Sequence, residues 1–96
     1  MRPAEAEVAR EARRVLRRLA SARAALFARS HDFAVARSAA TAAGSRLVVD
    51  SVLVGEFLRA GWIVADGPGR FLLAAEGRAF LVRIAAAVRK ISGLGL

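Results

Sequence analysis

The chain lacks cysteine and tyrosine altogether, and its 96 residues include one histidine, one tryptophan, two prolines and a single lysine. Each shortage excludes something. Without thiols there is no disulfide and no thiolate metal site, and the reducing cytosol is the natural compartment. With His31 as the only imidazole, a zinc site of three or four His, Cys or acidic ligands cannot be assembled. No Ser–His–Asp set can be drawn either, because His31 is the only base and falls in an expected turn. The carboxylates form no close pair. No catalytic residue, metal ligand or cofactor site is therefore assigned, and the chain is not expected to be an enzyme. Long hydrophobic runs are missing as well. The longest stretch without Lys, Arg, Asp or Glu is Ser38 to Ser45, against about 20 apolar residues for a membrane span. The opening Met1-Arg2-Pro3, followed by Glu5, Glu7 and Glu11 among arginines, has no apolar signal core. No membrane partner is expected, and the expected location is cytoplasmic.

What is present is a core and a charge. Hydrophobic residues make up 56% of the chain and the mean hydropathy is +0.41, which excludes intrinsic disorder. The length allows one domain, placed at 1–92, with 93–96 read as a frayed tail or the point where a longer protein was cut. Sixteen basic residues against eight acidic ones leave +8. A small, well-cored, basic domain is a candidate for a polyanion or an acidic protein surface. Fifteen of the sixteen are arginine and alanine fills 23 positions, a bias that GC-rich coding also produces. Charge alone thus leaves nucleic-acid contact and compositional drift both open.

The spacing predicts a first helix from about Ala4 to Ala20, started by Pro3, with Val8, Ala12, Val15, Leu16 and Leu19 as its apolar stripe. Its polar face holds Arg10, Arg13, Arg14, Arg17 and Arg18. Two short apolar runs, 24–28 and 33–36, flank Ser30-His31-Asp32 and predict a hairpin. Ser38 to Ser45 reads as a loop, or as one short helical turn capped by Ser38. Asp50 predicts the N-cap of a helix through Ala60, with Gly61 as its left-handed terminator and Leu53, Val54, Phe57 and Leu58 buried. Trp62–Ala65 and Arg70–Leu73 predict two strands joined at Asp66-Gly67-Pro68-Gly69. A last helix follows, with Phe80, Leu81, Ile84, Val88 and Ile91 at helical spacing. Trp62 is expected to pack as a core or rim aromatic beneath the hairpin.

Leu58-Arg59-Ala60-Gly61-Trp62-Ile63, Gly69-Arg70-Phe71-Leu72-Leu73 and Gly77-Arg78-Ala79-Phe80-Leu81, in that order, resemble the winged helix-turn-helix family over Asp50 to about Val88. Two departures stand: Leu58 falls one place off the family's leucine, and Ala74 replaces its threonine. The order of elements is also similar to the N-terminal module of bacterial regulators of the gene-transfer-agent activator type, in which a second domain works with RNA polymerase. The resemblance implies an α+β winged-helix fold of helix, small hairpin, helix, two-stranded wing and C-terminal helix. It also implies a bacterial transcription regulator bound to double-stranded DNA.

In that family the helix before the wing enters the major groove. Here it is Ser51 to Ala60, whose outward residues are Ser51, Val52, Gly55, Glu56 and Arg59, a poor set for reading base edges. DNA contact is therefore assigned mainly to phosphates. The candidate residues are Arg10, Arg13, Arg14, Arg17, Arg18, Ser51, Arg59 and Arg70. Basic residues outnumber acidic ones ten to four in 1–46 but six to four in 47–96, so most of the charge lies away from the helix expected to read sequence. Two other readings stay open. One is a protein-interaction module docking RNA polymerase or a partner regulator. The other is a homodimer, with Val82 and Ala86 near the outer face of the last helix.

Overall fold

In the computed structural model, which describes residues 3–94 and the side chains of 9–84, the chain folds as four helices around a five-stranded antiparallel sheet. The elements in chain order are α1 (Pro3–Leu19), β1 (Ala25–Ala28), β2 (Phe33–Ala36), α2 (Ala39–Ala42), β3 (Val48–Val49), α3 (Ser51–Ala60), β4 (Ile63–Ala65), β5 (Arg70–Leu73) and α4 (Ala75–Leu94). The sheet order is β3-β2-β1-β5-β4.

Alternation along the strands gives the sheet two unequal faces. Leu26, Val35, Val49, Ile63 and Leu73 point to one side, where Ala12, Val15, Leu16 and Leu19 of α1 and Leu53, Val54 and Phe57 of α3 close over them. Ala25 and Phe27 point to the other, where α2 supplies Ala42. Alanine is a poor strand former, and its concentration in β1 and β2 makes sense on this side: small side chains let a four-residue helix lie on the sheet. Ser38 caps that helix reciprocally with Thr41, so the 38–45 segment takes its capped-turn form. No polar or charged side chain is buried among the described residues.

The ends of α3 follow the sequence. The Asp50 carboxylate accepts from the Leu53 amide at 2.8 Å, and Gly61 adopts φ +76° with its N–H donating to the Leu58 carbonyl. Its buried stripe needs one correction. Leu58 is 45% exposed, not buried. At 100° per residue it lies past the arc spanned by Leu53, Val54 and Phe57, beyond the reach of the sheet.

Two further expectations change. Arg70–Leu73 is not the outer strand of a free two-stranded ribbon: β5 pairs with β4 on one side and with β1 on the other, through Leu26↔Phe71 and Phe27↔Arg70. The last helix continues through Leu94, past the start of the tail assigned to 93–96. Val8, Val88, Ile91 and Ala86 fall outside the described side chains, and residues 95 and 96 outside the described chain. The short strand β3, which pairs Val49 with Phe33, has no counterpart in the sequence reading.

A close approach fixes the start of α4. Trp62 stacks on Phe80 with ring centroids 4.0 Å apart and lies 5.9 Å from Phe57, while Gly77 backs onto the Trp62 carbonyl. A Cβ at Gly77 would stand 2.4 Å from that oxygen and 2.6 Å from Leu73 Cδ1. The hairpin tip is tied down separately. The Arg29 guanidinium donates to both Asp32 carboxylate oxygens, at 2.5 and 2.8 Å, and its Nη1 reaches the Ala42 and Ala43 carbonyls at the end of α2. The Arg29 hydrogen bonds hold the Asp32 carboxyl below its ordinary pKa.

Two outcomes test this packing. Gly77→Ala gains roughly 1 kcal/mol of helix propensity but meets backbone that cannot yield. It should therefore destabilise by about 1–3 kcal/mol net in urea unfolding followed by Trp62 fluorescence. Asp32 is the depressed-carboxylate case, so its contribution is present above the unfolded value of about 3.9 and lost as pH falls through the lower folded value. Asp32→Asn should lower Tm at neutral pH and flatten the acid limb of Tm against pH below about 4.

Candidate nucleic-acid interface

α1 is amphipathic because its apolar residues recur every three or four positions, which turns its arginines to the opposite side. Ala12, Val15, Leu16 and Leu19 are buried, and Arg10, Arg14, Arg17 and Arg18 are exposed. All five arginines expected on this helix line one open concavity of about 700 Å³. The structure adds a sixth. Arg46, from the loop after α2, borders the same concavity beside Leu47.

The loop holds Arg46 there through its two neighbours. Ser45 Oγ donates to the Val35 carbonyl at 2.5 Å, and the Val35 N–H donates to the Leu47 carbonyl at 3.0 Å. Both bonds tie the segment to β2, and Leu47 is buried against α1. Sequence reasoning missed Arg46 because it lies between a capped turn and a two-residue strand, with no periodicity to assign it a face. Its position within five residues of the Asp50 cap was the only hint.

The electrostatics of the groove are one-sided. Among the described residues, Glu11 is the one acidic side chain lining it. It meets Arg14 at 3.5 Å with side chains 63% and 42% exposed, a pair worth little in water. Six guanidiniums around one acid form a site whose charges repel one another until an anion arrives.

The remaining candidates lie elsewhere. Ser51 is exposed in the first turn of α3, with its neighbour Asp50 occupied as cap. Arg59, the single cation of α3, meets Glu56 at 2.8 Å along its outer face, with side chains 77% and 52% exposed, so this pair too is worth little in water. Arg70 pairs with Asp66 at 3.5 Å and sits 5.9 Å above the Phe27 ring. Neither Ser51, Arg59 nor Arg70 lines the α1 groove. The exposed apolar side chains of α3 are Val52, at 75%, and Leu58. Val82 is exposed on α4.

Among the described residues no three His, Cys, Asp or Glu side chains cluster as a metal site. No described helix is long and apolar enough to cross a membrane. No family model, curated protein or solved structure matches this chain.

The charge crowding has its own signature. Arg10→Gln and Arg46→Gln should each raise Tm slightly in low-salt buffer. The gain should vanish near 1 M NaCl, where the screening length is about 3 Å. Differential scanning calorimetry across that range checks it.

Proposed function

We propose that this domain is a winged-helix DNA-binding module of a bacterial transcription regulator, gripping the duplex mainly through arginine–phosphate contacts. The observation that carries the reading is the groove that Arg10, Arg13, Arg14, Arg17, Arg18 and Arg46 line, with Glu11 the single acid there among the described residues. Guanidinium groups match phosphate geometry with paired N–H donors, and phosphate contacts position a protein without reading bases. The winged-helix assignment is supported by the succession of α3, the β4–β5 hairpin and α4, with Gly61, Trp62 and Gly77 at the joints. Limited base reading follows from α3, whose outward face offers Val52, Leu58 and a single cation, Arg59, beside the anionic Glu56. A cytoplasmic location belongs to the same proposal.

One observation favours a second reading. An outer helix face carrying exposed Val52 and Leu58 suits a protein surface better than a phosphate backbone. On this reading the domain docks RNA polymerase or a partner regulator and does not bind DNA alone.

Fluorescence anisotropy on random duplex DNA across 50–300 mM salt separates the two. On the first reading log K falls linearly with log salt, by about 0.9 per phosphate contact. Arg14→Glu with Arg17→Glu should then weaken all sequences alike and reduce that slope by about two. Arg59→Ala should leave the salt slope nearly unchanged and relax base preference at one position. Leu58→Asp should leave DNA binding intact on the first reading and abolish capture of purified RNA polymerase on the second. Absence of any binding at low salt would remove the DNA reading.

A further inference from the structure

A second basic depression opens where α1 ends. It is bounded by the turn Leu19–Ala24, by Leu72 and Leu73 of β5, and by three arginines that are far apart in sequence: Arg23, Arg70 and Arg78. β5 and the first turn of α4 bring Arg70 and Arg78 to the turn that carries Arg23. No acidic side chain lines it among the described residues; outside it, Arg70 meets Asp66 at 3.5 Å and the Phe27 ring at 5.9 Å.

The backbone here is built at a cost. Arg23 adopts φ +66°, and it is the one non-glycine residue with positive φ among those described. A left-handed arginine is uncommon, and strain of this kind gathers at ligand-binding sites. The obvious structural use for arginines at a helix C-terminus is to cap its last carbonyls. That use is closed here. The Leu16 and Arg17 carbonyls accept from the Ala20 N–H, the Arg18 carbonyl from Ser21, and the Ser21 carbonyl from Ala24. Among the described residues, the Arg23 and Arg78 guanidiniums have no hydrogen-bond acceptor in the protein.

We propose that Arg23, Arg70 and Arg78 form a second oxyanion site, which takes a phosphate of the nucleic-acid backbone. Three arginines lining one depression, two of them without a protein acceptor and the third paired only at 3.5 Å with exposed Asp66, supply the charge and paired donors that a phosphate diester takes. The turn fixes the backbone from which the exposed Arg23 side chain extends. The first groove is lined on α1 as far as Arg18, and the second depression begins at Leu19, so the two sites follow one another along the chain. The choice of a backbone phosphate, rather than a free one, rests on the DNA-binding reading above.

The test is a titration of the intact domain with inorganic phosphate, following the guanidinium Nε–H signals by NMR, beside duplex anisotropy. The Arg23, Arg70 and Arg78 signals should shift together and saturate, while Arg83 on the exposed side of α4 should not. Arg78→Gln, at an exposed helical position, should weaken that saturation at least fivefold. Arg23→Gly should weaken it equally while leaving Tm unchanged or higher, since glycine adopts positive φ without strain. A merely structural Arg23 would not separate stability from binding in this way. Each variant should also lower the salt slope of duplex binding by about one. Weak, unsaturable shifts spread over all arginines would overturn the site. Saturable shifts in a domain that binds no duplex would overturn its assignment to nucleic-acid backbone, and would do so separately from the site itself.

Discussion

Everything in this domain depends on β5 being paired on both edges. On one side it completes a hairpin with β4; on the other it joins β1 through Leu26↔Phe71 and Phe27↔Arg70, continued by the Ala28 N–H on the Gly69 carbonyl at 2.7 Å. That ladder is the seam between two halves of the chain. In the sheet β3, β2 and β1 lie on one side of it and β5 and β4 on the other, while α1 packs across it onto β5 and α4. Neither half holds enough apolar surface to fold well alone at this size. Once joined, they share one core, in which Leu16, Leu26, Val54 and Phe57 are almost fully enclosed.

The seam also decides where the charge goes. α1 spends its apolar stripe on the sheet and so presents its arginines outward, and the Ser45–Val35–Leu47 bonds bring Arg46 to the same concavity. The turn after α1 meets β5 and the start of α4, which gathers Arg23, Arg70 and Arg78. Meanwhile α3 buries its best apolar residues and leaves an outer face with little that reads a base. The division supports a protein that holds a polyanion firmly and distinguishes sequences poorly, because phosphate attraction is indifferent to sequence.

Much of the fold was legible in the residues. Local chemistry is sufficient for α1, whose stripe repeats for four turns, and for α3, bracketed by the Asp50 cap and the Gly61 terminator. It is sufficient also for both hairpins, where turn residues separate short apolar runs. Legibility failed wherever the reason was non-local. β3 is two residues long and exists because β2 offers it an edge. Leu58 looks buried by type, yet its exposure depends on how far the sheet extends beneath α3.

For the candidate site the division is similar. The sequence by itself determined that the five α1 arginines share a face, because helical spacing is a local property. It also determined the excess of positive charge. Only the tertiary structure decided that Arg46 joins those five and that Arg23, Arg70 and Arg78 line one depression. The physical reason is range. Capping, turn formation and periodicity act over a few residues, whereas the β1–β5 ladder joins segments more than forty residues apart and the Ser45 bond to Val35 ties the Arg46 loop to β2 across ten.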